Sequence, residues 1–142
     1  MTSLSDDQYR ALARFRKALR LYASTADHAA RQVGITPAQH QLLVAIRGAP
    51  SETAPNISWL AEELSLENHS ATGLVQRAER AGLVTTKTSS TDGRVRNIAL
   101  TRHGRAILTR LFDAHSAEIH DARQLLLEAL QRVQDRSLRP AD

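Results

Sequence analysis

Asp92-Gly93-Arg94-Val95-Arg96-Asn97-Ile98-Ala99-Leu100-Thr101 joins a polar turn to an alternating strand and then to a helix start. Asp-Gly is a tight-turn dipeptide, residues 95–100 supply a short strand, and the Thr101 hydroxyl is suited to cap a following helix by accepting from an unpaired backbone N–H. Upstream, Leu83 to Ser89, rich in Val and Thr, supplies the partner strand. The pattern predicts a hairpin with Arg94 and Arg96 near its tip. Cations held there stand away from the protein body, within reach of a phosphate backbone or a narrow minor groove.

The residues before the hairpin predict two helices separated by a short turn. Ile57 to Leu64 places Ile57, Leu60, Ala61 and Leu64 on one face, with Asn56 as its cap, and Ser65-Leu66-Glu67 breaks the pattern. Asn68 to Ala81 resumes it, with Ala71, Leu74, Val75 and Ala78 inward and Gly82 as a left-handed stop. Helix, three-residue turn and helix is the helix-turn-helix plan. The outer side of the second helix carries His69, Ser70, Thr72, Gly73, Gln76 and Arg77, small and polar side chains that can approach base edges and phosphates.

On these residues the chain resembles the MarR (multiple antibiotic resistance regulator) family of winged helix-turn-helix proteins. The resemblance is carried by Leu60-Ala61-Glu62-Glu63-Leu64, by the run from Leu74 to Val84, and by Asp92-Gly93-Arg94 followed by Leu100-Thr101, which matches the family's D-x-R…L-T signature. It is strong over roughly residues 35 to 112 and rests on pattern alone in the terminal helices. The chain departs from the family at Ala78, where a larger apolar residue is common, and at Gly73, where a longer residue often sits. Both departures bear on individual base contacts and not on the fold.

Charge distribution points the same way. From Asn68 to Arg110 there are eight basic residues against two acidic ones, whereas Ser51 to Glu67 holds four glutamates and no base. The net charge of +4 is therefore concentrated on the second helix, the wing and the helix that follows, which is the footprint of a polyanion partner. The 142 residues suffice for one domain with its own core. Cysteine is absent, which fits a reducing compartment and excludes thiol switches and thiolate metal sites. No apolar run approaches the roughly 20 residues of a membrane span, and the N-terminal residues have no signal-peptide pattern, so a cytoplasmic protein is expected.

Two long amphipathic helices flank the central region. Ser5-Asp6-Asp7-Gln8 has capping-box form, and Leu12, Phe15, Leu19, Tyr22, Ala26, Ala29 and Val33 then recur at helical spacing up to Gly34. Thr36-Pro37-Ala38-Gln39 is a second capping box opening a helix through Leu42, Leu43 and Ile46. After Thr101, Leu108, Leu111 or Phe112, His115, Ile119, Ala122, Leu126, Ala129 and Val133 keep the same spacing. The sequence leaves open whether this is one helix or two with a bend near His120-Asp121. The central region is too small to cover both stripes, so a homodimer is expected, with Leu12, Phe15, Leu19, Leu111, Ile119 and Leu126 in its interface. The family resemblance implies the same interface.

Other chemistry finds no support. The six glycines make no dinucleotide-binding, nucleophile-elbow or Walker pattern. His115 and His120 lie about 140° apart around a helix, too far to grip one ion together, so no metal site is expected. No cofactor and no enzymatic activity are expected. The resemblance implies a small aromatic or anionic effector near Tyr9, Arg16, His28, His40 and Trp59, of which Arg16, His40 and Trp59 are the candidates.

The expected architecture is mostly α: a winged helix-turn-helix core of three helices and a two- to three-stranded β wing, with long N- and C-terminal dimerisation helices. One domain is expected over 1–142, with dimerisation helices at 1–34 and 102–136, a DNA-binding lobe at 35–101 and a tail at 137–142. The expected function is that of a duplex-DNA-binding transcriptional regulator, a ligand-responsive repressor acting as a homodimer on an inverted repeat. A winged-helix protein-assembly module with an incidental basic face is the alternative. Asn68, His69, Ser70, Thr72, Gly73 and Gln76 face the major groove, with His69, Ser70, Thr72 and Gln76 reading bases. Arg77, Arg96 and Arg102 take phosphates, and Asp92 orients the Arg94 side chain toward the flanking minor groove by a charge-assisted bond.

Overall fold

Polar side chains fix where the helices begin. The computed structural model describes residues 4–137, without the side chains of 114, 115, 117–119 and 133–137. Ser5 and Gln8 exchange a reciprocal pair of bonds, Ser5 N–H to Gln8 Oε1 at 2.7 Å and Gln8 N–H to Ser5 Oγ at 3.3 Å, at the head of α1 (Asp6–Gln32). Thr36 and Gln39 form the second capping box, ahead of Pro37 at the start of α2 (Pro37–Arg47). Asn56 Oδ1 accepts from Trp59 N–H at 2.9 Å and opens α3 (Ile57–Glu63). Each such cap satisfies a helix N–H that would otherwise lack a protein partner, worth about 1 kcal/mol.

Helix ends are equally local. After α1, Gly34 has φ +82°, with Ile35 N–H returning to the Ala30 carbonyl at 3.1 Å; after α4 (Asn68–Arg80), Gly82 has φ +72°, with Leu83 N–H returning to Ala78 at 2.9 Å. Both are Schellman closures on glycine, which tolerates the left-handed region. The same closure ends α3, where Leu66 N–H donates to the Ala61 carbonyl at 2.8 Å, but the left-handed residue is Ser65, φ 54°. This closure forms the turn between α3 and α4.

The hairpin comprises β1 (Val84–Thr88) and β2 (Arg96–Leu100), antiparallel, with Val84 opposite Leu100, Thr86 opposite Ile98 and Thr88 opposite Arg96. The sheet has these two strands. A further bond, Ile98 N–H to the Pro55 carbonyl at 2.8 Å, ties the outer side of β2 to the chain entering α3. Helix α5 (Arg102–Ser137) then runs unbroken for 36 residues, so the sequence's open choice between one helix and two resolves to one.

The chain divides into two compact units: Ala30–Ala114, and the residues up to Ala29 together with those from His115. The first holds the fully buried Leu42, Leu43, Leu60, Leu83 and Ile98, together with buried Ala71, Leu74, Val75, Ala78, Val84, Leu100, Ile107 and Leu111. Each fully buried aliphatic side chain contributes about 1.5–3 kcal/mol, so this set defines the core that holds α4 and the hairpin. The division falls inside α5, so the first turns of that helix belong with the winged helix rather than with the terminal helices. Leu111 is a correction on that account: buried within its own chain, it has no surface to give a second copy.

In the other unit, Ala11, Ala18, Ala122 and Ala129 are buried. A groove there is lined by Ala11, Ala18, Leu21, Leu125 and Ala129 with Arg14, Lys17, Glu128 and Arg132 at its sides. Leu12, Phe15 and Leu126 are half-buried, and Leu19 and Tyr22 remain exposed at 41% and 42%. The side chain of Ile119 lies outside the described residues. No helix of the described residues is long and apolar enough to cross a membrane.

Candidate nucleic-acid interface

Helix α4 is amphipathic in the way a groove-reading helix must be. Ala71, Leu74, Val75 and Ala78 fix its inner face, while Asn68, His69, Gln76 and Arg77 are exposed and Ser70, Thr72 and Gly73 half-buried on the remainder. All seven candidate residues of this helix thus lie off its buried face. No side chain caps its N-terminus, so the first N–H groups are unspent by a cap and present a partial positive charge. Thr72 Oγ1 donates to the Asn68 carbonyl at 2.9 Å, leaving its lone pairs as the groups it can offer outward. A Cβ built on Gly73 would stand 3.1 Å from Arg77 Nη1, so the Arg77 guanidinium folds back over the position left bare by glycine.

The wing tip departs from the expected two-residue turn. The last bond between the arms is Ser89 N–H to the Val95 carbonyl at 2.7 Å, and within the loop it spans Val95 N–H donates to the Asp92 carbonyl at 3.1 Å. Gly93 and Arg94, rather than Asp92 and Gly93, are therefore the central residues of the turn. Gly93 does not have a positive φ, and a Cβ there would meet nothing within 4 Å, so the tip does not require glycine. Asp92 Oδ1 accepts from the backbone N–H of Arg94 at 3.0 Å. This corrects the expectation that Asp92 aims the Arg94 guanidinium: the carboxylate fixes the backbone from which that exposed side chain springs. A carboxylate two residues before an N–H finds it by local geometry, whereas reaching the end of an arginine must compete with water.

Arg96 differs from Arg94 in surroundings. Its Nη2 donates to Thr86 Oγ1 at 3.0 Å, and Thr86 Oγ1 donates to Glu79 Oε1 of α4 at 3.2 Å. Lys87, on the opposite face of the hairpin, is exposed. Arg102 is exposed at the first position of α5. Thr101 caps that helix as expected, accepting from Gly104 N–H at 3.0 Å, and also donates to the Gly82 carbonyl, so one hydroxyl ties the end of α4 to the start of α5. At Gly104 a Cβ would overlap the Leu83 carbonyl oxygen. Sequence reading missed this contact, although a glycine in a first helical turn is itself a signal of close approach.

Of the effector candidates, Arg16 is exposed on α1, His40 half-buried on α2 and Trp59 half-buried on α3. Val44, Arg47, Gly48, Leu108, Thr109 and Phe112 line a separate groove. The Glu52 carboxyl, in the loop before α3, sits below its ordinary range because the Ser51 hydroxyl donates to it at 2.9 Å. Among the described residues no three His, Asp or Glu side chains converge as a metal site requires.

Comparison with known proteins now adds to this geometry. A MarR family model matches residues 33–95, which holds α2, α3, α4, β1 and most of the wing tip. Three solved structures share the fold. AbsC, a MarR family transcriptional regulator from Streptomyces coelicolor, is 22% identical with a TM-score of 0.75, covering 99% of this chain and 95% of that one. Sco3205, a MarR family regulator of the same organism solved in complex with DNA, is 20% identical with a TM-score of 0.71 over 100% and 94%. A mutant MarR from E. coli complexed with operator DNA is 19% identical with a TM-score of 0.71 over 97% and 100%. No curated protein sequence matches the chain. The family model matches residues 33–95, and the fold is similar along nearly the whole chain to those of MarR-family transcription regulators.

Proposed function

We propose that this protein is a sequence-specific duplex-DNA-binding transcriptional repressor that acts as a homodimer on an inverted repeat. The observation that carries the reading is the pairing, in one unit, of a recognition helix whose outward side chains are small and polar with a hairpin that presents Arg94 at its tip. His69, Ser70, Thr72 and Gln76 read base edges in the major groove, Arg77 and Arg102 contact phosphates, and Arg94 reaches the flanking minor groove. The fold relatives solved with DNA support the polyanion partner. Exposed Tyr9, Leu19, Leu21 and Tyr22 on α1 and Leu125, Leu127 and Leu130 on α5 support assembly through the terminal helices, since so many large apolar side chains left in water are otherwise an association hazard. A two-fold dimer offers its recognition helices to successive major grooves, about 10 bp apart. Response to a small aromatic or anionic effector rests on the family resemblance, with Arg16, His40 and Trp59 as the residues to test. A cytoplasmic location follows from action on DNA.

Selection of bound sequences from a random duplex pool with purified protein tests this directly. Enrichment of an inverted repeat with the stated spacing is expected. Arg94→Ala then weakens binding to all sequences and lowers the slope of log affinity against log salt by about one. Gln76→Ala relaxes preference at one base pair per half-site, by about 1–3 kcal/mol, with the slope unchanged. A pool that yields no preferred sequence, or Arg94→Ala with unchanged affinity and slope, refutes the reading and leaves the hairpin as an assembly element.

A further inference from the structure

The register of the hairpin determines where Arg96 can go. Val84, Thr86 and Thr88 share a face with Arg96, Ile98 and Leu100, and Val84, Ile98 and Leu100 of that face are buried. Arg96, itself exposed, therefore leaves β2 on the face it shares with those buried residues. Thr85 and Lys87, with Asn97 and Ala99, occupy the opposite face. What Arg96 meets is the Thr86 hydroxyl, at 3.0 Å, and that hydroxyl spends its single proton on Glu79 Oε1 of the recognition helix, at 3.2 Å. A hydroxyl with its proton committed to a carboxylate turns its lone pairs to the guanidinium, so the two bonds polarise each other. Thr86 and Ile98 are a directly opposed pair, which keeps the hydroxyl close to the strand that bears Arg96.

The geometry points to Glu79 as a positioning residue that acts through Thr86 on Arg96, so that Arg96 braces the wing against the recognition helix instead of contacting phosphate. This rests on the DNA-binding reading above and deepens it, because it sorts the wing's cations by task. Arg94 has only its backbone N–H engaged by Asp92, so its guanidinium is left to the polyanion. Arg96 holds the hairpin at one angle to α4 before DNA arrives, which reduces the ordering that binding must otherwise supply.

The test is a titration of the selected operator duplex over a range of salt concentrations with wild type, Glu79→Gln, Thr86→Val, Thr86→Ser, Arg96→Gln and the double variant Glu79→Gln with Arg96→Gln; Arg94→Ala is the reference. Glu79→Gln removes a negative charge, so general electrostatics alone tightens binding to DNA, and a loss is diagnostic. Glu79→Gln, Thr86→Val and Arg96→Gln are each expected to weaken operator binding by about threefold to tenfold. Their salt slopes stay at the wild-type value, while that of Arg94→Ala falls by about one. The double variant is no weaker than either single one, and Thr86→Ser, which keeps the hydroxyl, binds as wild type. Arg96→Gln with a slope lowered like that of Arg94→Ala makes Arg96 a phosphate ligand and overturns the proposal, as do additive losses in the double variant. Hydrogen exchange of the hairpin amides in the DNA-free protein provides a separate readout: faster exchange in Glu79→Gln and Thr86→Val, and not in Arg94→Ala, is expected, and unchanged exchange overturns the brace. Wild-type protein that binds no duplex refutes the DNA reading alone, and exchange still decides the brace.

Discussion

Gly104→Ala should destabilise the protein even though alanine is the better helix former. In a helix interior the exchange ordinarily gains about 1 kcal/mol. Here the added Cβ would overlap the Leu83 carbonyl oxygen and stand 3.1 Å from its carbon, atoms of backbone that cannot swing aside. Leu83 is itself held from both ends, its N–H on Ala78 at 2.9 Å and its carbonyl accepting from Thr101 N–H at 3.1 Å, and its side chain is buried. The first turn of α5 must therefore move, which costs about 1–3 kcal/mol for overpacking and about 1 kcal/mol for the loosened Thr101 cap. Against the propensity gain, the net loss is about 1–3 kcal/mol. For a chain of this size that lowers the melting temperature by roughly 3–10 °C. Thermal and urea unfolding at one fixed protomer concentration measure it, and exchange of the Thr101 amide should quicken in the same variant. A Gly104→Ala protein that melts at or above wild type would refute the close approach of α5 to the end of α4.

Gly73→Ala is the opposite case: the nearest atom is the flexible end of Arg77, so the variant should gain up to about 1 kcal/mol in denaturant unfolding, while displacing the Arg77 guanidinium and weakening binding across sequences in the salt titration. Thr101→Val loses both bonds of one hydroxyl and should cost about 1–2 kcal/mol by the same unfolding measurement; a smaller change than 0.5 kcal/mol, within the range of about ±0.5 kcal/mol common at surface sites, would discount the tie. Sedimentation should give a wild-type mass about twice 15.7 kDa, with Leu19→Glu and Leu125→Glu shifted to the monomer because a buried unpaired charge costs several kcal/mol; a wild-type monomer would remove the dimer from the proposal.

The elements whose physics is local were legible in the chain. Ser5, Thr36, Asn56 and Thr101 cap the helices they were read to cap, because a cap needs one oxygen within three residues of an N–H. Gly34 and Gly82 stop helices for an equally local reason. Ser65 was legible only as part of a break, since serine does not advertise a left-handed backbone. Features that depend on pairing were not legible. Arg96 looked like a second tip cation until the register put it on the face it shares with buried Ile98 and Leu100, and the partner it found, Thr86, lies ten residues away across the hairpin. Leu111 fitted the apolar stripe of the last helix, but periodicity does not say which neighbour fills which part of a stripe. The inner face of α4, Ala71, Leu74, Val75 and Ala78, was legible from the same periodicity because it is short and complete.

The bond from Ile98 N–H to the Pro55 carbonyl has a consequence for the behaviour of the protein at high concentration. A two-stranded ribbon pushed out into solvent has two raw edges, and each is a template on which another ribbon can assemble. On β2 the outward N–H at the middle of the strand is already taken, and the residue that takes it is a proline, which has no N–H with which to extend a ladder. The β2 edge is thereby blocked at its middle against pairing with the wing of a neighbour. Replacing Pro55 with a residue that restores the N–H would leave the bond from Ile98 in place and add a donor from which a ladder could extend, and the first sign would be self-association rather than any loss of fold.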